Sequence, residues 1–140
     1  MGNINLNLNG AYVEITSKCN LNCPYCYNDS GSKPYELNCD DVFKIVDELY
    51  SKNIFAIAIS GGEPFLHSDI KKIIDYCIKK GVRPNIITNL TMLDEKQTID
   101  LLNKNILFQV TFDGYSEETH SFTRGKNIFK KNIDFIENAL

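Results

Sequence analysis

The chain has 140 residues, 43% hydrophobic and 24% charged, with a net charge of -3, a composition that suits one folded domain with an apolar core and excludes a disordered chain. Its lysines are scattered, so no basic stripe marks a phosphate backbone as partner and nucleic acid is not expected. The longest apolar run, Ile54 to Ile59, is too short to cross a membrane, the Asn-rich start lacks the regions of a signal peptide, and Leu6 stands where a myristoylation start wants Ser or Thr, so a cytoplasmic protein without membrane contact is expected.

Strand-like and helix-like segments take turns along the chain. Ala11 to Thr16 alternates as a strand does, and Asn38 then offers an N-cap to a helix with Val42, Ile45, Val46 and Leu49 on one face. Ile54 to Ile59 reads as a strand buried on both faces and ends at Ser60-Gly61-Gly62. Ile70, Ile73, Ile74, Cys77 and Ile78 follow at helical spacing, closed by Lys79-Lys80-Gly81. Asn85 to Thr88 is a third strand, and Asp94 with Gln97 forms a capping box for the next helix. Ile106 to Phe112 is a fourth strand, and Phe129, Ile133, Ile136 and Leu140 mark a helix reaching the last residue. Four strand-helix units in succession imply an α/β fold of parallel strands with right-handed crossovers, either an open sheet or a segment of a barrel. Both architectures put chemistry at the C-terminal ends of the strands. On that map the loop after strand one, Gly61 to Pro64, Thr88-Asn89, and Thr111 with Asp113-Gly114 all share one rim.

The loop after strand one carries the chemistry. Three of the five cysteines, Cys19, Cys23 and Cys26, fall within eight residues, which argues against a disulfide framework and for a metal or redox site. Three thiolates on one short loop can each ligate one iron of a cubane cluster and leave the fourth iron open. A structural zinc site is the alternative, and it needs a fourth ligand from Cys39, His67 or His120. Cys39 precedes a helix and Cys77 lies on an apolar helical face, so both read as packing residues, while His67 reads as part of a helix start.

Cys19, Cys23 and Cys26, with aromatic Tyr25 before the last cysteine, resemble the CxxxCxΦC signature of the radical S-adenosylmethionine (SAM) superfamily. Gly61-Gly62-Glu63-Pro64 resembles the family's GGEP segment, which receives the amino group of the SAM methionine. Asn89 is similar to its polar residue after strand three, near the SAM ribose or carboxylate. Val110-Thr111-Phe112-Asp113-Gly114 resembles the strand end of many peptide-modifying members, with Thr111 in place of Ser. His120 with Arg124-Gly125 extends that likeness, and there the arginine could pair with the SAM carboxylate. The resemblance implies a 4Fe-4S cluster on the three cysteines and SAM held by Gly61, Gly62, Glu63, Pro64, Tyr25, Asn89, Thr111 and Arg124. It further implies reductive cleavage of SAM to methionine and a 5′-deoxyadenosyl radical that abstracts hydrogen from a substrate.

The likeness spans roughly Tyr12 to Leu140, yet barrels of this kind need about 200 residues or more. Residues 1 to 140 are therefore expected to form the N-terminal part of a radical SAM core, a truncated half-barrel of four units whose missing C-terminal half is supplied elsewhere or replaced by self-association. The expected partners are a peptide or protein substrate, as for sulfatase-maturase-type members, and an electron donor such as flavodoxin or ferredoxin. A non-catalytic zinc or iron–sulfur module, and an activase or small-substrate radical SAM enzyme, are the competing readings.

Overall fold

The alternation of Val13, Ile15, Ile57, Ile59 and Ile86 with more polar residues builds a sheet with one apolar face, and that face organises the molecule. The computed structural model describes residues 9–30 and 34–139. Strands β1 (Ala11–Thr16), β2 (Ala56–Gly61), β3 (Arg83–Ile87) and β4 (Leu107–Gln109) lie in sequence order, each parallel to its neighbour. Helices α1 (Cys39–Ser51), α2 (Ile70–Lys80), α3 (Glu95–Leu102), α4 (Glu117–Arg124) and α5 (Ile128–Ala139) follow the strands, with a short 3-10 turn at Pro64–Leu66. Ile15, Ile57, Ile59 and Ile86 pack on Val42 and Val46 of α1 and on Ile70, Ile73, Ile74 and Cys77 of α2. The register pairs Tyr12 with Ala58, Glu14 with Ser60 and Asn85 with Leu107. The opposite face is thereby the polar one.

The expected helix ends form as their chemistry dictates. Asn38 Oδ1 accepts from the Asp41 N–H at 2.8 Å to start α1, and Asp94 and Gln97 close a reciprocal capping box on α3. Gly81 ends α2 at φ 80°, a conformation open to glycine at little cost.

Three expectations are corrected. Strand four is confined to Leu107–Gln109, because the chain beyond Gln109 leaves the ladder and Asp113 bonds to α4 instead. Helix α4 was not expected; its sequence is polar and His120 is its one buried residue among those described, so no apolar stripe announces it. Among the described side chains of α5 the buried positions are Ile128 and Asn132, whereas Phe129, Ile133 and Ile136 are half-buried. Leu140 lies outside the described residues. No helix among the described residues is long and apolar enough to cross a membrane.

Candidate functional site

A cavity of about 750 Å³ opens at the C-terminal ends of the four strands. Each strand end contributes to its wall: the cysteine loop after β1, Ser60 and Gly61 from β2, Ile87 at the end of β3 with Thr88 just beyond it, and Gln109 at the end of β4 with Thr111 in the loop that follows. The shared rim expected from topology is therefore one continuous surface.

Backbone hydrogen bonds fix the root of the cysteine loop. The Gly62 N–H donates to the Thr16 carbonyl at 2.8 Å and the Glu63 N–H to the Lys18 carbonyl at 2.7 Å. The two chains approach so closely that a Cβ on Gly61 would lie 2.0 Å from the Thr16 oxygen, and one on Gly62 would lie 2.3 Å from the Lys18 oxygen. Glycine is required at both positions for this contact. Gly61 also sits at φ 143°, a conformation that L side chains rarely adopt. Farther along the loop, Asn89 Nδ2 donates to Asn20 Oδ1 at 3.1 Å, and Asn20 Nδ2 to Thr91 Oγ1 at 2.6 Å. The loop is thus held against both β2 and the end of β3.

Glu63 and Pro64 are buried beneath this surface and do not line the cavity. The Glu63 carboxylate faces inward, accepting from Thr88 Oγ1 at 2.8 Å, the Asn89 N–H at 2.8 Å and the Phe65 N–H at 3.1 Å. Burial holds its carboxyl above the usual range, opposed by those three hydrogen bonds. Its place is that of a strut joining the ends of β2 and β3. Cys19, Cys23, Tyr25, Cys26, Gly61, Gly62, Asn89, Thr111 and Arg124 all line the cavity, so nine of the eleven residues singled out from sequence meet there.

The three thiols differ in environment. Burial pushes the Cys19 thiol up, as do the Glu63 carboxylate and the other two thiols. Burial also pushes Cys23 up, against the opposing charge of Arg124. At Cys26 the cost of partial burial is outweighed by hydrogen bonds from Ser30 and the backbone at Asn28 and Asp29, and its thiol is lowered. Cys26 is therefore the readiest thiolate of the set.

Arg124 reaches the cavity from α4 while paired with Asp113, Nε to Oδ2 at 2.6 Å. The guanidinium holds the Asp113 carboxyl below its usual range. Among the wall residues that the motifs did not single out are Tyr12, Ser60 and Gln109. Tyr12 donates to Ser60 Oγ at 2.6 Å and its hydroxyl also contacts that of Tyr27. Alternation along β1 and β2 was the signal available for Tyr12 and Ser60, since both belong to the polar face.

The donor set is of a kind that an iron–sulfur cluster takes. Three soft thiols line the cavity, and among the described residues no three His, Cys, Asp or Glu side chains converge on a single-ion position. Three thiolates can each ligate a separate iron of a cluster. The candidate fourth zinc ligands are not at hand: Cys39 opens α1, away from the cavity lining. His67 uses both ring nitrogens, on the Leu37 carbonyl and the Asp69 N–H, and His120 is fully buried against Asp113. The carboxylate that lines the cavity, Asp113, is committed to Arg124.

The sequence profile of the Radical SAM superfamily matches residues 13–140. Mycofactocin maturase MftC of Mycolicibacterium smegmatis is 32% identical over 127 residues, which cover 89% of this chain and 32% of that protein. The chain thus spans about a third of the length of this curated relative. Among solved structures, Streptococcus suis SuiB bound to the precursor peptide SuiA superposes with a TM-score of 0.82 at 16% identity, over 94% of this chain and 30% of SuiB. The anSMEcpe protein with bound AdoMet superposes with a TM-score of 0.72 at 25% identity, over 92% of this chain and 39% of that one. With four parallel strands alternating with helices, and a sequence match over nearly its whole length, the chain belongs to the radical SAM superfamily.

Proposed function

We propose that residues 1–140 form the N-terminal part of a radical SAM core in which Cys19, Cys23 and Cys26 hold a 4Fe-4S cluster and the adjoining wall holds SAM, for modification of a peptide or protein. The observation that carries this reading is the meeting of the three thiols, the Gly61-Gly62 turn, Asn89 and Arg124 on one cavity at the strand ends. The bound cluster would supply one electron to the SAM sulfonium, giving methionine and a 5′-deoxyadenosyl radical. The chain's own part is binding and orientation. The Gly61-Gly62 turn presents backbone to the methionine end of SAM, without side chains in the way. Arg124 offers a cation to its carboxylate, and Asn89 keeps the cysteine loop and the β3 end in register. The peptide substrate is supported by SuiB, solved with its precursor peptide, and the SAM site by anSMEcpe, solved with AdoMet.

Anaerobic reconstitution with iron and sulfide tests the cluster: a brown, oxygen-sensitive protein is expected. Its colour should be lost on replacing Cys19, Cys23 or Cys26 by Ala and kept on replacing Cys39 or Cys77. A colourless protein with stoichiometric zinc on the same three thiols would overturn the reading. Incubation of the reduced protein with SAM, followed by chromatography for 5′-deoxyadenosine, tests the chemistry. Slow cleavage relative to a full-length relative is expected, because four strand-helix units leave SAM open to water.

A further inference from the structure

His120 is fully buried in a helix whose other residues are exposed or half-buried. Its ring lies against Phe112 and Phe129, each with a centroid distance of 5.8 Å. Nδ1 accepts the Asp113 N–H at 3.2 Å, which places the ring proton on Nε2, and Nε2 is buried without a hydrogen-bond partner. A residue kept for packing alone would be apolar here, since phenylalanine would fill the aromatic site and strand no N–H. What histidine adds is the acceptor at Nδ1.

That acceptor grips a residue already held from the same helix face. Thr123 Oγ1 donates to Asp113 Oδ2 at 2.8 Å, and Arg124 donates through Nε to Oδ2 at 2.6 Å and through Nη2 to Oδ1 at 3.4 Å. Positions 120, 123 and 124 share one face of α4, so His120 holds the Asp113 backbone while the other two hold its carboxylate. The next residue, Gly114, is pressed so close that a Cβ would lie 2.2 Å from Thr119 Oγ1. Arg124 then lines the cavity beside Cys23.

We propose that His120 is a positioning residue: by fixing the Asp113 backbone in the loop after β4 it sets the Asp113–Arg124 pair and aims the guanidinium into the cavity. The consequence for SAM rests on the reading of Arg124 given above, whereas the clamp itself does not.

The test has a cofactor-free arm and a loaded arm. In the apo-protein, nitrogen NMR of the His120 ring should show the proton on Nε2. The Arg124 Nε–H should exchange about tenfold faster in His120→Phe, and return toward wild type in His120→Asn, whose amide oxygen replaces the Nδ1 acceptor. A ring proton on Nδ1, or unchanged exchange in His120→Phe, overturns the proposal; should that variant fail to fold, the ring proton and His120→Asn decide. In the reconstituted protein, SAM affinity should fall about tenfold in both His120→Phe and Arg124→Ala, without further loss in the double variant. Additive losses would show His120 acting elsewhere and overturn the proposal. If Arg124→Ala leaves SAM affinity unchanged while the apo-protein arm behaves as expected, the clamp stands and the reading of Arg124 as a SAM contact fails.

Discussion

At Gly62 even a methyl group would collide with the Lys18 carbonyl oxygen, and the bond from Gly62 to Thr16 leaves no slack to relieve it. Gly62→Ala should therefore cost about 2–4 kcal/mol of stability, read as a lower urea midpoint of the apo-protein, and should cut iron uptake as the loop root shifts. Wild-type stability in that variant would show that the Thr16–Lys18 segment yields. Glu63 makes a pH prediction. Its carboxyl is held above the ordinary value of 4.5, chiefly by burial, so the folded state binds that proton more tightly than the unfolded chain. Its contribution to stability is fully present below 4.5 and lost as pH rises through the higher folded value. Glu63→Gln should flatten that part of the pH–stability curve measured by thermal melts. The cysteine triplet, Tyr25 and the glycine pair were legible from spacing and position after strands. The inward turn of Glu63 was not, because a carboxylate next to two glycines reads alike whether it faces a ligand or a buried Thr88 hydroxyl.

Among the elements, those with strong local signals were legible and those set by side-chain grip were not. β1 has the boundaries its alternation implies, and the ends of α1, α2 and α3 follow Asn38, Gly81 and Asp94. Asp94→Ala should remove the bond from the Gln97 N–H to Asp94 Oδ1 while leaving the return bond from the Asp94 N–H to Gln97 Oε1, and cost about 1 kcal/mol in denaturant unfolding; no measurable loss would mean that α3 is held by packing alone. Strand four failed as an expectation because its apolar run continues to Phe112 while its hydrogen bonding does not. The pull of α4 on Asp113 ends the ladder early, and nothing in the run Val110 to Phe112 records it. Helix α4 had one readable signal, Ser116 with Thr119 as a box and Glu117 and Glu118 in the first turn, but its polar sequence gave no stripe to confirm it.

In the whole molecule, β4 pairs with β3 on one side and with no strand on the other among the described residues, and Leu107 and Phe112 are exposed beside it. An apolar edge of this kind invites pairing with another chain. Light scattering of the purified chain should show concentration-dependent association, and a monodisperse monomer across a wide range would count against it. The opposite property holds at the root of the cysteine loop, which is anchored by Thr16, Lys18 and Asn20 to residues 62, 63, 89 and 91 through bonds between protein groups. A variant with Cys19, Cys23 and Cys26 all replaced by Ala should accordingly keep its melting transition while losing all colour. Iron and sulfide added after folding should then colour the wild-type chain without a refolding step, and a need to unfold and refold it in the presence of iron would count against a loop root set by these bonds.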